Sequence, residues 1–445
     1  MDAFLPLPAT DLALHRSSTQ AIAARATATA QNQRRHPTYL NSQGYKLTMT
    51  KHGFQAFQRT CPNSSFMEFV ILGHCDASLD EIAEGLYAST TQAHRTVQAL
   101  LYKHSFLDGA VLQVADTKTL QDPFRWFGIK YARLQLHAMF QPRDTVYAEL
   151  SGTTVEDGVR TLYQVRHSIE ADAFPPLHNV VRFTYEMGWV FSELPSGRVQ
   201  FSIVGHLNPQ GKIPPWFFNK RTAQKHALNA ATFSDIARLR RLVEAPPAPQ
   251  HRARDPASSQ PCHVCSTQCK RWRSCRFCGH VACKKCTVVV PQPVAIARSV
   301  TSDSSHPIEK AAYCKACFTA SRLPSQTNIS WKSPDDETRR TSSSTQESMD
   351  VALTLQDYDA NGFASDSPLS DISLLLESYR GWHGDTAMTN QVVQEALAHV
   401  SASSAVAPTN TAGVDPSFMA SLEYQRRLVA EIQKSLAAQH SQASV

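Results

Sequence analysis

Between Cys262 and Cys317 the sequence places four Cys-x-x-Cys pairs: Cys262/Cys265, Cys275/Cys278, Cys283/Cys286 and Cys314/Cys317. This segment holds nine of the chain's 11 cysteines. Eight thiolates fill two closed tetrahedral Zn²⁺ shells with no open position, which makes the sites structural. A module of about 60 residues with few large apolar side chains needs such staples to fold. The N-terminal MDAFLPLPAT lacks a basic stretch followed by a long apolar core. No secretory signal is therefore expected, and the thiols read as metal ligands in a reducing compartment, not as disulfides. Cys61 and Cys75 stand apart and are expected to be buried, and Cys269 is a spare thiol.

Two ligand schemes pass through CRFCGHVACKKC, residues 275–286. In the first, Cys262, Cys265, Cys283 and Cys286 hold one ion, and Cys275, Cys278, Cys314 and Cys317 hold the other. In the second, His280 replaces Cys275 and the set becomes the C3HC4 pattern of a RING finger, a recruiter of ubiquitin-charged enzymes. Residues 262–290 also carry Lys270, Arg271, Arg273, Arg276, Lys284 and Lys285 with no acidic residue. So concentrated a positive charge favours an anionic surface, although the whole chain is only +6.

The preceding 200 residues have a different texture. SFMEFVILG (65–73), AVLQVAD (110–116), FRWFGIKYARLQL (124–136), DTVYAEL (144–150), TLYQVRHSIE (161–170) and VQFSIVGHL (199–207) read as strands, and residues 79–88 and 90–102 as helices. The clearest strand is VVRFTYEMGWVFSEL (180–194), where Val181, Phe183, Tyr185, Met187, Trp189 and Phe191 take every second position. Alternation of that length predicts an antiparallel strand with one apolar face. From Pro215 to Glu244, Leu228, Ala231, Ile236, Leu239, Leu242 and Val243 share one stripe, which predicts a long closing helix. The fold class is thus α+β: a curved antiparallel sheet with a concave face beneath a C-terminal helix. Phe183, Tyr185, Met187, Trp189, Phe191, Ile236 and Leu239 are the candidate walls of an apolar pocket on that face.

The finger resembles the FYVE family of phosphoinositide-binding modules, whose motif R-(R/K)-H-H-C-R-x-C-G-x-V-x-C-x-x-C is echoed by RWRSCRFCGHVACKKC (271–286). The resemblance implies the first, interleaved scheme with two Zn²⁺, and a headgroup-binding role for Arg271, Arg276 and, as a displaced substitute, Arg273. The motif's histidines are Arg273 and Ser274 here, its later arginine is Ala312, and its apolar insertion loop is the polar STQCK. RDTVYAELSG, DGVRTLYQVRHSIE, FPPLHNVVRF and GWVFSELPSGRVQFSIVGHLNPQGKIPPWF together resemble the START lipid-transfer family, in its oomycete-type members joined to FYVE-type fingers. That resemblance implies a helix-grip fold around a tunnel for one lipid or sterol. It also favours the FYVE-related scheme over the RING.

The expected organisation is a disordered segment 1–44, a START-like domain 45–245, a Pro-rich linker 246–260, a FYVE-related finger 261–320 and a largely disordered tail 321–445. Within the tail, residues 416–439 carry Phe418, Leu422, Val429, Ile432 and Leu436 on one helical face, a candidate surface for a protein partner or a dimer. No apolar run approaches the ~18 residues of a membrane span. No helix with base-reading residues follows the cysteines, so nucleic acid is not an expected partner. Glu149, Asp144, His167 and His206 are scattered over predicted strands without a nucleophile–base signature, and no enzymatic activity is expected. The expectation is a cytoplasmic protein that associates peripherally with phosphoinositide-bearing membranes, endosomal ones among them. A ubiquitin-ligase adaptor, or a scaffold with a degenerate START cavity, is the alternative.

Overall fold

The computed structural model describes residues 6–51, 53–137, 140–248, 260–294 and 308–321. The tail beyond Ser321, with the expected helix 416–439, lies outside them. The chain divides into two compact units, one taking in Met1–Gly211 and Asn219–Thr345. Lys212–Phe218 belongs to the second, and in it the Trp216 and Phe217 rings meet edge-on at 5.8 Å.

Helix α1 (Ala9–Arg35) leads through a short turn, α2 (Tyr39–Ser42), into strands β1 (Lys46–Lys51), β2 (Phe54–Cys61) and β3 (Ser64–Cys75). Helices α3 (Leu79–Leu86) and α4 (Thr91–Tyr102) follow. The chain then returns to the sheet as β4 (Phe106–Asp116), β5 (Trp126–Leu134), β6 (Arg143–Glu156), β7 (Val159–Ser168), β8 (Val181–Arg182), β9 (Thr184–Glu193) and β10 (Val199–Asn208). The strands lie in the order β1-β2-β3-β10-β9-β7-β6-β5-β4, and β8 pairs β6 in parallel. Every other pairing is antiparallel, as local hairpins allow. The β6–β7 hairpin turns on Asp157 and Gly158, both at positive φ (52° and 72°). That is the two-residue turn whose twist matches the strands it joins.

Three sequence expectations need correction. Residues 1–44 are not disordered throughout, because α1 is a 27-residue helix lying across the convex face on β6, β7, β9 and β10. The domain therefore begins well before residue 45. Ile22 and Ala23 enter a core with Leu112, Phe127, Ile129, Tyr131, Val146, Leu150 and Val165. Small residues permit the approach: a Cβ at Gly188 would stand 2.6 Å from Ala26 Cβ. A helix seated by alanines has no conspicuous apolar stripe, so periodicity underrates it. Arg16 fixes one end, pairing with Asp116 at 2.6 Å and lying 4.1 Å over the Phe127 ring.

The closing helix is also not continuous. It runs as α5 (Pro215–Ala230), a 3₁₀ segment over Ala231–Asp235, and α6 (Ile236–Glu244). The interruption turns Phe233 into the core, where it meets Trp189, Phe191 and Phe201 at centroid distances of 5.2, 5.0 and 5.6 Å. The strand expected over 180–194 is likewise split at Phe183 into β8 and β9.

The cysteine-rich module consists of three small hairpins, β11 (Gln260–Pro261) with β12 (Gln268–Cys269), β13 (Trp272–Ser274) with β14 (Val281–Cys283), and β15 (Thr287–Pro293) with β16 (Ile308–Cys314). Helix α7 (Lys315–Ala320) closes it. It is not a separate bead on a linker. β15 packs on α4 and α6, and α7 packs on α6. Arg241 donates to the Ser321 carbonyl at 3.0 Å, and the Ala248 amide donates to the Arg276 carbonyl at 2.9 Å. Helix α4, with the sheet on one side and β15 on the other, is buried from His94 through Leu101.

Candidate lipid cavity and paired thiol sites

Side chains of β5, β6, β7 and β9 alternate across the sheet, and one set points to the concave face. Phe183, Tyr185 and Met187 line a cavity there with Ala132, Leu134, Thr145, Tyr147 and Leu207 from neighbouring strands and segments. Gln98 and Tyr102 close it from α4, and Lys225, His226 and Asn229 from α5. Its volume is about 50 Å³, room for a few water molecules. Trp189 and Phe191, also expected as walls, instead meet Phe233 edge-on. Ile236 packs against α3 at Gly85, where an added Cβ would stand 2.3 Å from its Cγ2. Leu239 is buried but does not reach the cavity.

A buried charged cluster adjoins the cavity through Arg166, and periodicity gives no sign of it. Lys130, Glu149 and Arg166 are each at most 4 % exposed by side chain. Glu149 accepts from Lys130, from Gln164 Nε2 at 3.0 Å and from Arg166 Nε at 3.0 Å. Lys130 Nζ lies 3.9 Å over the Trp126 ring and the Arg166 guanidinium 4.2 Å over Trp189. Burial alone would raise the Glu149 carboxyl, but the two cations hold it below the ordinary carboxylate range. Burial lowers Lys130 from the usual lysine value. His94, 1 % exposed, is pushed down to about 3 by burial and by the Lys130 charge, so its ring is neutral. Its Nε2 lies 3.0 Å from the Tyr131 carbonyl oxygen.

Of the other polar residues weighed from sequence, Asp144 pairs with Arg182 at 2.8 Å, and His167 lies 4.0 Å from Glu186. Neither reaches the cavity wall. Helix α5 is latched over this face at two points. Asn219 accepts from the Met67 amide at 2.9 Å and donates to the Ser65 carbonyl at 3.0 Å, and Lys225 donates to the Leu136 carbonyl at 3.1 Å.

The thiols gather into two groups, Cys262/Cys265/Cys283/Cys286 and Cys275/Cys278/Cys314/Cys317, with the sulfurs of each within 4.8 Å of one another. Sulfur pairs Cys265/Cys283 and Cys278/Cys314 are 3.8 and 3.9 Å apart. A tetrahedron with Zn–S bonds of ~2.3 Å has edges of ~3.8 Å. The donor chemistry and spacing therefore fit a four-thiolate ion in each group. Backbone amides point at two of these sulfurs, Cys283 N to Cys262 Sγ at 3.3 Å and Cys317 N to Cys314 Sγ at 3.4 Å. Such donors orient ligands and favour the thiolate. His280 joins neither group. Its ring stacks on His263 at 4.0 Å. Cys269 donates instead to the Gln260 carbonyl at 3.1 Å.

The three candidate headgroup arginines do not share one environment. Arg271 and Arg273 are exposed, alternating with Trp272 along the strand. Arg276 is half-buried and lies 3.6 Å from Glu309. Lys270, Lys284 and Lys285 are exposed as well, and Phe277 leaves 45 % of its surface in solvent.

Residues 92–244 match the family model of the START domain. No curated protein matches the sequence. Among solved structures, human StAR-related lipid transfer protein 5 is similar at 16 % identity and a TM-score of 0.40, over 51 % of this chain and 97 % of that one. Human STARD10 aligns at 13 % identity and a TM-score of 0.35, over 46 % and 78 %. A STAR-related lipid transfer protein from Xanthomonas axonopodis aligns at 18 % identity and a TM-score of 0.35, over 44 % and 99 %. The family match and the observed sheet with its closing helices agree on a START-like helix-grip fold.

Proposed function

We propose that this chain is a non-enzymatic lipid-binding protein that works at an anionic membrane surface. Its START-like domain takes one hydrophobic ligand on the concave face, between β5–β10 and helix α5. Its cysteine-rich module, folded around two Zn²⁺ held by the two thiol groups, meets the membrane. The observation that carries the first half is the START match joined to a sheet face lined by Phe183, Tyr185, Met187 and Leu207. Ligand pockets of this kind run to roughly 300–1,000 Å³. A lipid therefore enters by lifting α5 from its Asn219 and Lys225 latches and repacking the aromatic wall, a gating step and not a static fit.

For the second half, exposed Arg271 and Arg273 supply charge to lipid phosphates, and exposed Phe277 supplies an apolar anchor. The FYVE-like motif supports a phosphoinositide as the lipid recognised. Arg276, engaged by Glu309, is a positioning residue in this reading. The expected setting is the cytoplasmic face of an internal membrane.

Flotation of the full chain with vesicles of phosphatidylcholine, with and without phosphatidylinositol 3-phosphate, tests the membrane half. Binding that rises with the phosphoinositide and falls at least tenfold in the Arg271→Ala/Arg273→Ala double variant supports it. Equal flotation of variant and wild type would remove it.

A further inference from the structure

Arg166 lines the cavity, and the buried cluster it forms with Lys130 and Glu149 behind the wall holds two cationic groups against one carboxylate. Lys130 and Arg166 both bond to Glu149, and Gln164 shares Lys130's oxygen, so the carboxylate is fully engaged. His94 beside them is neutral. Removing such a cluster from water is unfavourable unless an opposite charge completes it. The wall facing the void has its cationic and donor groups at this same end. It holds Arg166 and Lys225 and no carboxylate, together with the phenols of Tyr102, Tyr147 and Tyr185. The Tyr147 hydroxyl, in a residue 1 % exposed, meets no partner at hydrogen-bond geometry. A guest here is met by cations and O–H or N–H donors at one end and by Phe183, Met187 and Leu207 at the other.

Resting on the lipid-cavity reading above, we infer that the ligand is a single-chain amphiphile with an anionic head, a carboxylate or phosphate, seated against Arg166 and the Tyr147 hydroxyl. A neutral sterol or alcohol offers one weak acceptor and leaves the charge uncompensated. An anionic head converts a buried cation excess into charge-assisted hydrogen bonds. The selectivity thus resides in head charge and not in chain shape.

The experiment is a matched series of probes with one chain and three heads: oleate, oleyl phosphate and oleyl alcohol, titrated into the full-length protein and counted by native mass spectrometry. The expected result is one oleate or oleyl phosphate per chain, at least tenfold tighter than oleyl alcohol, with oleate against oleyl phosphate deciding the head. Lys130→Met should narrow the ratio, as should Lys225→Gln on the wall. Lys225→Gln leaves the buried trio intact and serves if Lys130→Met fails to fold. Oleyl alcohol binding as tightly as the acids, or a ratio unchanged in folded variants, would overturn the inference while leaving the lipid cavity standing. Binding of none of the three would remove the cavity reading and this inference together.

Discussion

The guanidinium of Arg238 in α6 lies 4.8 Å from the ring centroid of Phe318 in α7, so the last helix of the START-like fold and the last helix of the cysteine-rich module share a contact. Arg238 is also paired with Asp235 in the preceding turn. Phe318 is 3 % exposed. The finger is thereby built into the wall of the domain, because β15 backs the same helix, α4, that presents Gln98 and Tyr102 to the cavity.

This joint predicts cooperative unfolding. Phe318→Ala should cost about 3 kcal/mol and lower one shared transition in scanning calorimetry. Stripping metal with a chelator should lower the same transition, since the thiol groups fix β15 and α7. Two transitions that respond independently would refute the coupling.

The thiol geometry separates the two ligand schemes. Cys275→Ser should reduce bound zinc, measured by elemental analysis of the full chain, from two ions to one. His280→Ala should leave two. The reverse pattern would restore the RING-like set and its ubiquitin-related reading.

At the back of the sheet, Gly188 faces Ala26 with no room for a side chain. Gly188→Val should destabilise by at least about 2 kcal/mol through overpacking. Removal of residues 1–35 should do so more severely by exposing Phe127, Ile129 and Val165. Denaturant titration reads both, and a neutral Gly188→Val would show α1 to be loosely held.

The buried His94 predicts an acid limb of stability. Its folded value, about 3, lies below the ordinary ~6.5 of an unfolded chain. Between these the unfolded state binds the extra proton, so stability present at neutral pH is lost as pH falls below about 6.5, by roughly 1 kcal/mol per pH unit. Glu149, also depressed, adds to the loss at lower pH as its carboxylate is protonated. The check is the difference in unfolding free energy between wild type and His94→Asn from pH 7 to pH 4.5. A constant difference would mean His94 does not titrate on unfolding.

What the sequence disclosed follows from which forces leave a local trace. Phe183, Tyr185 and Met187 were legible as cavity walls because a strand alternates its faces, and the thiol partners because a Cys-x-x-Cys pair is self-announcing. Trp189 and Phe191 obeyed the same alternation but were claimed by Phe233, a partner forty residues away that only the broken helix delivers. Ala23 and Ala26 carry no strong hydrophobic signal, so the sequence of α1 resembles a disordered segment. Edge strand β1, with Lys46 and Lys51 exposed, and β2 beside it lack a clean apolar alternation. Lys130 and Arg166 look like solvent-facing strand residues in sequence, yet both are buried on the concave face. Docking of the finger on α4 was hidden for the same reason: every residue of α4 is compatible with a helix half as buried.

The most direct test of the whole account is native mass spectrometry of the full-length chain after incubation with a total lipid extract. The mass should equal the polypeptide plus two zinc ions plus one amphiphile, and the lipid peak should vanish in a Met187→Arg variant that keeps both ions. A chain that carries its zinc but acquires no lipid from any extract would contradict the central claim.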